Sequence, residues 1–404
     1  MMNAKTLRLV LLVSCCHALV HIYELSFASV EQLVAAEYHV DTDVTGPLGT
    51  CLRMPFGLGA LAAGWLAGHF GAKRLLLVYL AGCSGAALLA AFVPNLAGMF
   101  VAMFLLGSFA SIYHPAGLGL ISHHTDAENR PMALGYHGIL GSLGIAAAPF
   151  LAAFVLDSGA TWQQYYLILA VPGLVLGGLL MLRLSREDEP SHPDAQNKPL
   201  PPEEDAARWG AYVLLLVIAG SSGFVYHAVL NFLPRYLRGA GIQFAQTEAI
   251  AADNYLTGVV LFVGILGQYT AGRIARPKTL EPILAASFAG VAASLFGMAL
   301  AEGHWRIWAA AGFALLFFMH QPIFNSLVAK YVPRRRRSFA YGISFTMGFG
   351  FGSLGSTYMG FGLREAAPAH VLLSQEQVAY LTLAAIALWV SLLATFLWQW
   401  KRRD

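Results

Sequence analysis

The stretch GWLAGHFGAKR, residues 64–74, covers the junction between two long apolar runs at residues 45–69 and 73–93. Its three glycines indicate a tight turn, because glycine adopts backbone conformations that other residues avoid. The lysine–arginine pair that ends it is typical of the short cytoplasmic loops of membrane proteins. The stretch therefore predicts two antiparallel membrane helices joined by a tight, basic turn.

Apolar runs of this kind continue through the whole chain. A helix needs about 20 apolar residues to cross ~30 Å of hydrocarbon. We number the runs that reach this length as spans one to twelve, with limits near 7–35, 45–69, 73–93, 96–122, 131–156, 161–183, 210–237, 247–272, 280–301, 305–330, 338–362 and 377–400. The pattern predicts an all-α integral membrane protein with twelve transmembrane helices.

Composition leads to the same class. The chain has 404 residues, of which 57% are hydrophobic and 12% charged, whereas ordinary soluble domains have roughly 25% charged residues. The net charge of +3 is too small to indicate a nucleic-acid partner. The four cysteines all lie in apolar stretches and indicate neither disulfides nor a metal knuckle.

One polar segment divides the spans into two sets of six. Residues 185–208 contain two acidic runs and five prolines, which is the composition of a linker. The predicted organisation is a six-helix bundle at 1–184, a cytoplasmic linker at 185–208 and a second bundle at 209–404.

The basic residues predict the orientation. If the N-terminus is inside, 20 of the 25 lysines and arginines fall in cytoplasmic loops and termini, as expected for short loops. We therefore expect both termini in the cytoplasm. The first apolar run lacks a small-residue cleavage site, so we interpret it as a retained span.

The two halves also repeat each other. A shift of 207 residues places Pro115 on Pro322 and Arg130 on Arg337, and it also matches one alanine and two glycines that follow Arg130. Two parallel six-span halves with a substrate site between them are typical of a secondary transporter.

At this point the chain resembles the major facilitator superfamily. The stretch at 64–74 is similar to its G-x-L-A-D-R-x-G-x-K-R gating motif, except that Gly68 replaces the aspartate and His69 the arginine. A shift of 204 residues places His69 on Arg273 in the second half. The gating residues that the resemblance implies are Gly64, Gly68, His69, Gly71, Lys73, Arg74 and Arg273. It also implies two pseudo-symmetric bundles, a functional monomer and a multi-pass location in a bacterial inner membrane.

Two further motifs resemble the fosmidomycin-resistance branch of that superfamily. Residues 112–115 read Ile-Tyr-His-Pro, and residues 17–23 are similar to an H-x-x-x-D-L-Y pattern in which His21 replaces the aspartate. Because fosmidomycin is a phosphonate, this resemblance implies export of a small anionic or neutral compound in exchange for protons.

Ionisable groups within spans are costly, so each one is a candidate functional residue. Histidine titrates near neutral pH and can respond to a proton gradient. In the family that the chain resembles, spans one, four, seven and ten line the central cavity, and five of the six histidines within spans lie there. The six are His17, His21, His114, His137, His227 and His320.

Span one has the most informative spacing. His17 and His21 are four residues apart and share a helix face, and Glu24 follows near it. Arg53 on span two falls at a similar depth, so a pair with Glu24 is expected. Two roles remain open for that pair, one that only fixes helix packing and one in which Glu24 or His21 changes protonation during transport.

The second half contributes neutral polar groups. The candidate substrate and proton-coupling residues there, besides His227 and His320, are Tyr226, Asn231, Gln321 and Asn325. No catalytic motif occurs in the chain, so we expect neither enzymatic activity nor a cofactor.

The leading hypothesis is a proton-coupled secondary transporter of a small organic anion or neutral compound, with export by proton antiport favoured. The alternatives are an uptake symporter for an organic anion and a transporter of metals or metal chelates that uses the span-one histidines. The expected partners are the substrate, protons and the lipid bilayer.

Overall fold

The computed structural model describes residues 2–125, 129–183, 208–244, 247–333, 336–364 and 373–403, and these are helical apart from short turns. Ten spans are single helices: Ala4–Glu37, Thr42–Phe70, Ala72–Phe92, Arg130–Asp157, Trp162–Arg183, Trp209–Arg238, Ala249–Ile274, Leu280–Leu300, Trp305–Tyr331 and Gln375–Arg403. These are spans one to three, five to ten, and twelve. The predicted linker falls at residues 184–207, outside the described residues.

Spans four and eleven are composite. Span four consists of two helices, Leu96–Ala110 and Tyr113–His124. Span eleven consists of an α-helix at Arg337–Phe345, a π-helical turn at Thr346–Gly350, a 3₁₀ turn at Phe351–Ser353 and an α-helix at Leu354–Leu363. The sequence predicts one span in each place, with a kink at Pro115 in span four and no break in span eleven. The glycines in span eleven weaken its α-helical geometry, because glycine costs helix stability relative to alanine.

Within the described residues, ten helical stretches are long and apolar enough to cross a membrane on those grounds alone. Spans two and eleven complete the predicted twelve. The chain is therefore an all-α multi-pass membrane protein.

Local sequence explains where helices begin and turn. The side chains of Asn3 and Asn95 accept hydrogen bonds of 2.8 Å from Thr6 and Gly98, so they cap spans one and four. Gly71 has a φ of 83° between spans two and three. This value favours glycine, and it accounts for the tight turn within residues 64–74.

The break in span four lies before its proline. Ser111 and Ile112 interrupt the helix, and Pro115 then lies in the first turn of the second helix. A proline in a first turn loses no intrahelical hydrogen bond, so the interruption precedes Pro115 rather than occurring at it.

Two hydrophobic cores follow the two halves of the sequence. One is built almost wholly from residues 10–180 and the other almost wholly from residues 211–397. The halves meet where span two packs on span eleven, span five on span eight and span one on span seven. Arg53 of span two and Asn231 of span seven meet across this contact between the halves.

Candidate functional site

Four histidines from the first half come together in the middle of the molecule. The rings of His17 and His137 stack with centroids 3.8 Å apart. His17 also lies 5.0 Å from His21 and 5.2 Å from His114. We call these four residues the histidine cluster.

Backbone geometry explains how the cluster forms. His17 and His21 share one face of span one because they are four residues apart. On span five, Gly141 faces the His17 ring so closely that a Cβ atom there would overlap it. The missing side chain lets span five bring His137 onto His17.

Hydrogen bonds fix two of the rings. The Nδ1 atom of His17 lies 2.7 Å from the backbone oxygen of His137, and Nδ1 of His21 lies 2.8 Å from Oε2 of Glu24. Since a carbonyl and a carboxylate only accept, both Nδ1 atoms must donate. In a neutral ring, Nε2 then has the lone pair.

A chain of buried polar groups leads from the cluster to the other half of the molecule. Oε1 of Glu24 lies 3.9 Å from Nε of Arg53. Arg53 in turn donates a 2.6 Å hydrogen bond from Nη1 to Oδ1 of Asn231 on span seven. Gly49 makes room for the Asn231 amide. One charged group of the first half thus reaches directly into the second.

Arg53 is a fully buried cation, with 0% of its surface exposed. Its Nε and Nη2 atoms have no hydrogen-bond partner among the described residues. A buried charge is expensive unless it is paired and hydrogen-bonded. These donors therefore suit an anion.

Aromatic side chains border this polar chain. Tyr226 lies beside Glu24, and His227 lies beside Arg53. Phe349 of the π-helical turn contacts both, with ring centroids 5.8 Å from Tyr226 and 5.1 Å from His227. Phe345 stacks on Phe349 at 4.5 Å.

Three candidates of the second half lie elsewhere. His320 contacts the rings of Phe288, Phe317 and Phe324 within its own half. Gln321 is exposed and accepts from Gln268 at 2.8 Å, and Asn325 is exposed as well. Their predicted roles in the site stay predictions, since the structure does not join them to the Glu24–Arg53–Asn231 chain.

The gating residues of the sequence prediction lie at the opposite end of spans two and eight from that chain. His69 contacts the Trp65 carbonyl at 2.9 Å, and Arg273 contacts the Tyr269 hydroxyl at 3.1 Å. Each of these contacts stays within its own half. A gating role for this loop stays a prediction.

Sequence reasoning missed two ion pairs that join the halves. Nε and Nη2 of Arg235 both donate to Glu31 at 3.0 Å, and Asp43 lies 3.3 Å from Arg364. We call these two pairs the latch. One feature of the sequence does point to the Glu31 pair. Glu31 follows Glu24 by seven residues and so lies on the same face of span one.

The chain is similar to known membrane transporters in both sequence and fold. Residues 11–356 match the family model described as Major Facilitator Superfamily. A probable actinorhodin transporter of Streptomyces coelicolor is 25% identical over 237 residues, which cover 53% of this chain and 40% of the relative. The 4-hydroxybenzoate transporter PcaK of Pseudomonas putida is 23% identical over 372 residues, which cover 81% of each chain.

A solved structure shares the fold. A structure described as giving insight into substrate recognition in proton-dependent oligopeptide transporters aligns with a TM-score of 0.75 and 14% identity. The alignment covers 98% of this chain and 100% of the other.

Proposed function

The chain belongs to the Major Facilitator Superfamily, and we propose that it moves a small organic anion across the membrane by alternating access. The predictions of a superfamily transporter and of no enzymatic activity are confirmed. The resemblance to the fosmidomycin-resistance branch stays a prediction.

The buried Arg53 guanidinium carries this proposal. Its Nε and Nη2 atoms face no hydrogen-bond partner among the residues that the structure describes. A guanidinium holds a carboxylate or phosphonate with two parallel hydrogen bonds, which are stronger than neutral ones. An anionic substrate would give both donors the hydrogen bonds that the Glu24 carboxylate, 3.9 Å from Nε, does not supply.

The partner of Arg53 explains how binding is linked to movement. Nη1 of Arg53 bonds to Asn231 in the opposite half, so an anion on the guanidinium contacts a group that joins the halves. A ligand shifts a conformational equilibrium only through such differential contacts.

The latch holds the two halves together at one end of the molecule, which is closed in this structure. Glu31 is 1% exposed, and its bond to Arg235 holds spans one and seven together at one end. The orientation predicted from the basic residues would put this end on the outer side. Alternating access then requires the Glu31–Arg235 and Asp43–Arg364 pairs to separate when the outer side opens.

An aromatic carboxylate is a suitable probe. The relative PcaK is named for 4-hydroxybenzoate, which combines a carboxylate with a ring. In this chain, the rings of Phe345 and Phe349 lie close to the residues that surround Arg53. A ring packed on these phenyl groups would place its carboxylate toward the guanidinium.

Coupling to protons and export by antiport remain the predictions of the sequence analysis, as do the functional monomer, the bacterial inner membrane and cytoplasmic termini. A pH gradient across proteoliposomes tests the coupling. Antiport predicts that external acid speeds export of an internal anion, whereas symport predicts that external acid speeds uptake.

The experiment that tests the anion proposal is counterflow. Proteoliposomes loaded with unlabelled 4-hydroxybenzoate should accumulate the labelled compound, and tetraphenylphosphonium should not replace it. Arg53→Lys keeps the charge and loses the planar fork, so counterflow should fall by about tenfold, the equivalent of ~1.4 kcal/mol.

The matched control is Arg306→Gln. Arg306 pairs with Glu376 near the surface of the second half, so counterflow should stay at the wild-type level. Accumulation of the cation alone, or unchanged counterflow in Arg53→Lys, would overturn the proposal.

A further inference from the structure

We propose that His17, His21 and His114 form a binding site for a divalent transition-metal ion such as Zn²⁺. One ring nitrogen from each of these residues lies within 4.8 Å of those of the other two. Imidazole nitrogen is a preferred ligand of zinc and its first-row neighbours. This site is independent of the proposed anion transport, because zinc can bind to it at equilibrium whether or not the protein transports an anion.

The orientation of two rings favours metal binding. In metal sites, a ligating histidine usually donates its second N–H to a carboxylate or a backbone carbonyl, which fixes the ring and its tautomer. His21 makes the first kind of bond, to Glu24 at 2.8 Å, and His17 makes the second, to the backbone oxygen of His137 at 2.7 Å. Both rings therefore have Nε2 as their lone-pair nitrogen.

The third ring, that of His114, has a nitrogen atom that is available to a metal ion. Nδ1 of His114 is buried and has no hydrogen-bond partner among the described residues. The centroid of the His114 ring lies 5.7 Å from that of Phe56 and 4.9 Å from that of Phe345. Phenyl rings offer no N–H or O–H donor to a nitrogen lone pair, so a metal ion is a suitable partner for this nitrogen.

The spacing needs only a small closure. With zinc–nitrogen bonds of about 2.0–2.1 Å, the nitrogens of a tetrahedral site lie about 3.4 Å apart. The three ring nitrogens start within 4.8 Å of one another, and a side-chain rotation of His114 together with small shifts of spans one and four can supply the difference. Three histidines leave the fourth tetrahedral position open to water or to an anion.

Charge at the site is partly balanced by Glu24. Its Oε2 atom faces His21, and its Oε1 atom faces Arg53 at 3.9 Å. The carboxylate therefore lies between the proposed metal and the guanidinium, where it offsets the repulsion between the two cations.

The test is equilibrium binding of Zn²⁺ to the purified, tag-free full chain in detergent, and calorimetry measures the stoichiometry and the affinity. We expect one ion per chain with the wild type. Removing a ligand in His114→Gln should weaken binding by more than about 100-fold, since the loss of even a supporting residue costs about 10- to 100-fold. His114→Gln should still fold, because it removes no hydrogen bond of Nδ1.

Two controls isolate the site. His320→Gln changes a half-buried histidine outside the cluster and should leave the affinity unchanged. The double variant His123→Gln/His124→Gln removes a pair of neighbouring rings, 5.7 Å apart at the end of span four, that offers a competing surface site. It should also bind as the wild type does.

The outcomes separate clearly. X-ray absorption of the bound zinc should show nitrogen neighbours with the outer scattering of imidazole, and this signal should disappear in His114→Gln. Loss of binding only in the His123/His124 double variant, or equal binding by wild type and a folded His114→Gln, would overturn the site. Arg53→Lys should bind zinc normally, so failure of the anion proposal and failure of the metal site are read independently.

Discussion

The two halves of the molecule share a repeated helix pattern but surround their histidines differently. In the first half, His17 contacts three other histidine rings at 3.8–5.2 Å. In the second half, His320 contacts only phenyl rings among the described residues, including Phe288 at 5.3 Å. The first half thus has a hydrogen-bonded polar centre where the second has an aromatic core.

The latch extends this difference to the surface between the halves. Both of its acids, Glu31 and Asp43, belong to the first half, and both of its arginines belong to the second. Repetition therefore preserves the helices, while the clustered histidines and the two signs of the latch charges are divided unequally between the halves. The following changes test that division, beginning with the largest expected effect.

Arg53→Gln should destabilise the protein strongly. It leaves Glu24 buried without its cation, and breaking a buried pair costs about 3–5 kcal/mol. A partly exposed ion pair of the second half, Arg306–Glu376, has side chains that are 20% and 34% exposed. Arg306→Gln should therefore cost only about 0–1 kcal/mol. Unfolding in detergent measures both.

The double variant Glu24→Gln/Arg53→Gln provides the control. If the cost comes from the unpaired carboxylate, the double variant should be more stable than Arg53→Gln alone, because neighbouring changes are not additive. A double variant as unstable as the sum of the single changes would show that packing, not charge, dominates this centre.

Gly141→Ala should have a middle-sized effect. Its Cβ would overlap the His17 ring, and that ring cannot move freely because it is bonded and stacked to His137. Overfilling a packed core costs about 1–3 kcal/mol. The thermal unfolding midpoint in detergent should fall, and so should zinc affinity.

Gly138→Ala is the matched control on the same span. Nothing lies within 4 Å of a Cβ at that position, so the helix should gain about 0.5–1 kcal/mol. Equal destabilisation by the two alanines would contradict the close approach between spans one and five.

His320→Phe should have the smallest effect. Its ring already lies among phenyl groups, and its Nε2 has no hydrogen-bond partner among the described residues. A hydrophobic ring of similar shape should change stability by less than about 1.5 kcal/mol. His17→Phe in the histidine cluster of the first half should cost more, since it removes the bond to His137. Similar unfolding midpoints for the two variants would remove the contrast between the halves.

The fold was largely predictable from hydrophobicity, because a membrane span needs a long apolar run and each run is visible by itself. The breaks in spans four and eleven were less predictable. Pro115 pointed to a disturbance in span four, but the interruption at residues 111–112 depends on packing. The π-helical turn has no local signature beyond its glycines.

The site was predictable where its members share one helix. The spacing of His17, His21 and Glu24 predicts that they share one helix face. Because spans one and two are antiparallel, Arg53 is predicted to lie at a depth in the membrane similar to that of Glu24. Asn231 joins this group through a contact across the halves that no single helix reveals. His320 was grouped with it because of its span, although neighbouring phenyl rings separate it from the centre.

The π-helical turn at Thr346–Gly350 has a consequence for movement. Such a turn is an α-helix with one residue inserted. When the π-helical turn shifts by one position along the helix, the residue that it passes rotates by about 100° about the helix axis. That residue also moves by about 1.5 Å along the axis. Span eleven can therefore turn Phe345 or Phe349 away from span two in single steps, without melting the helix on either side.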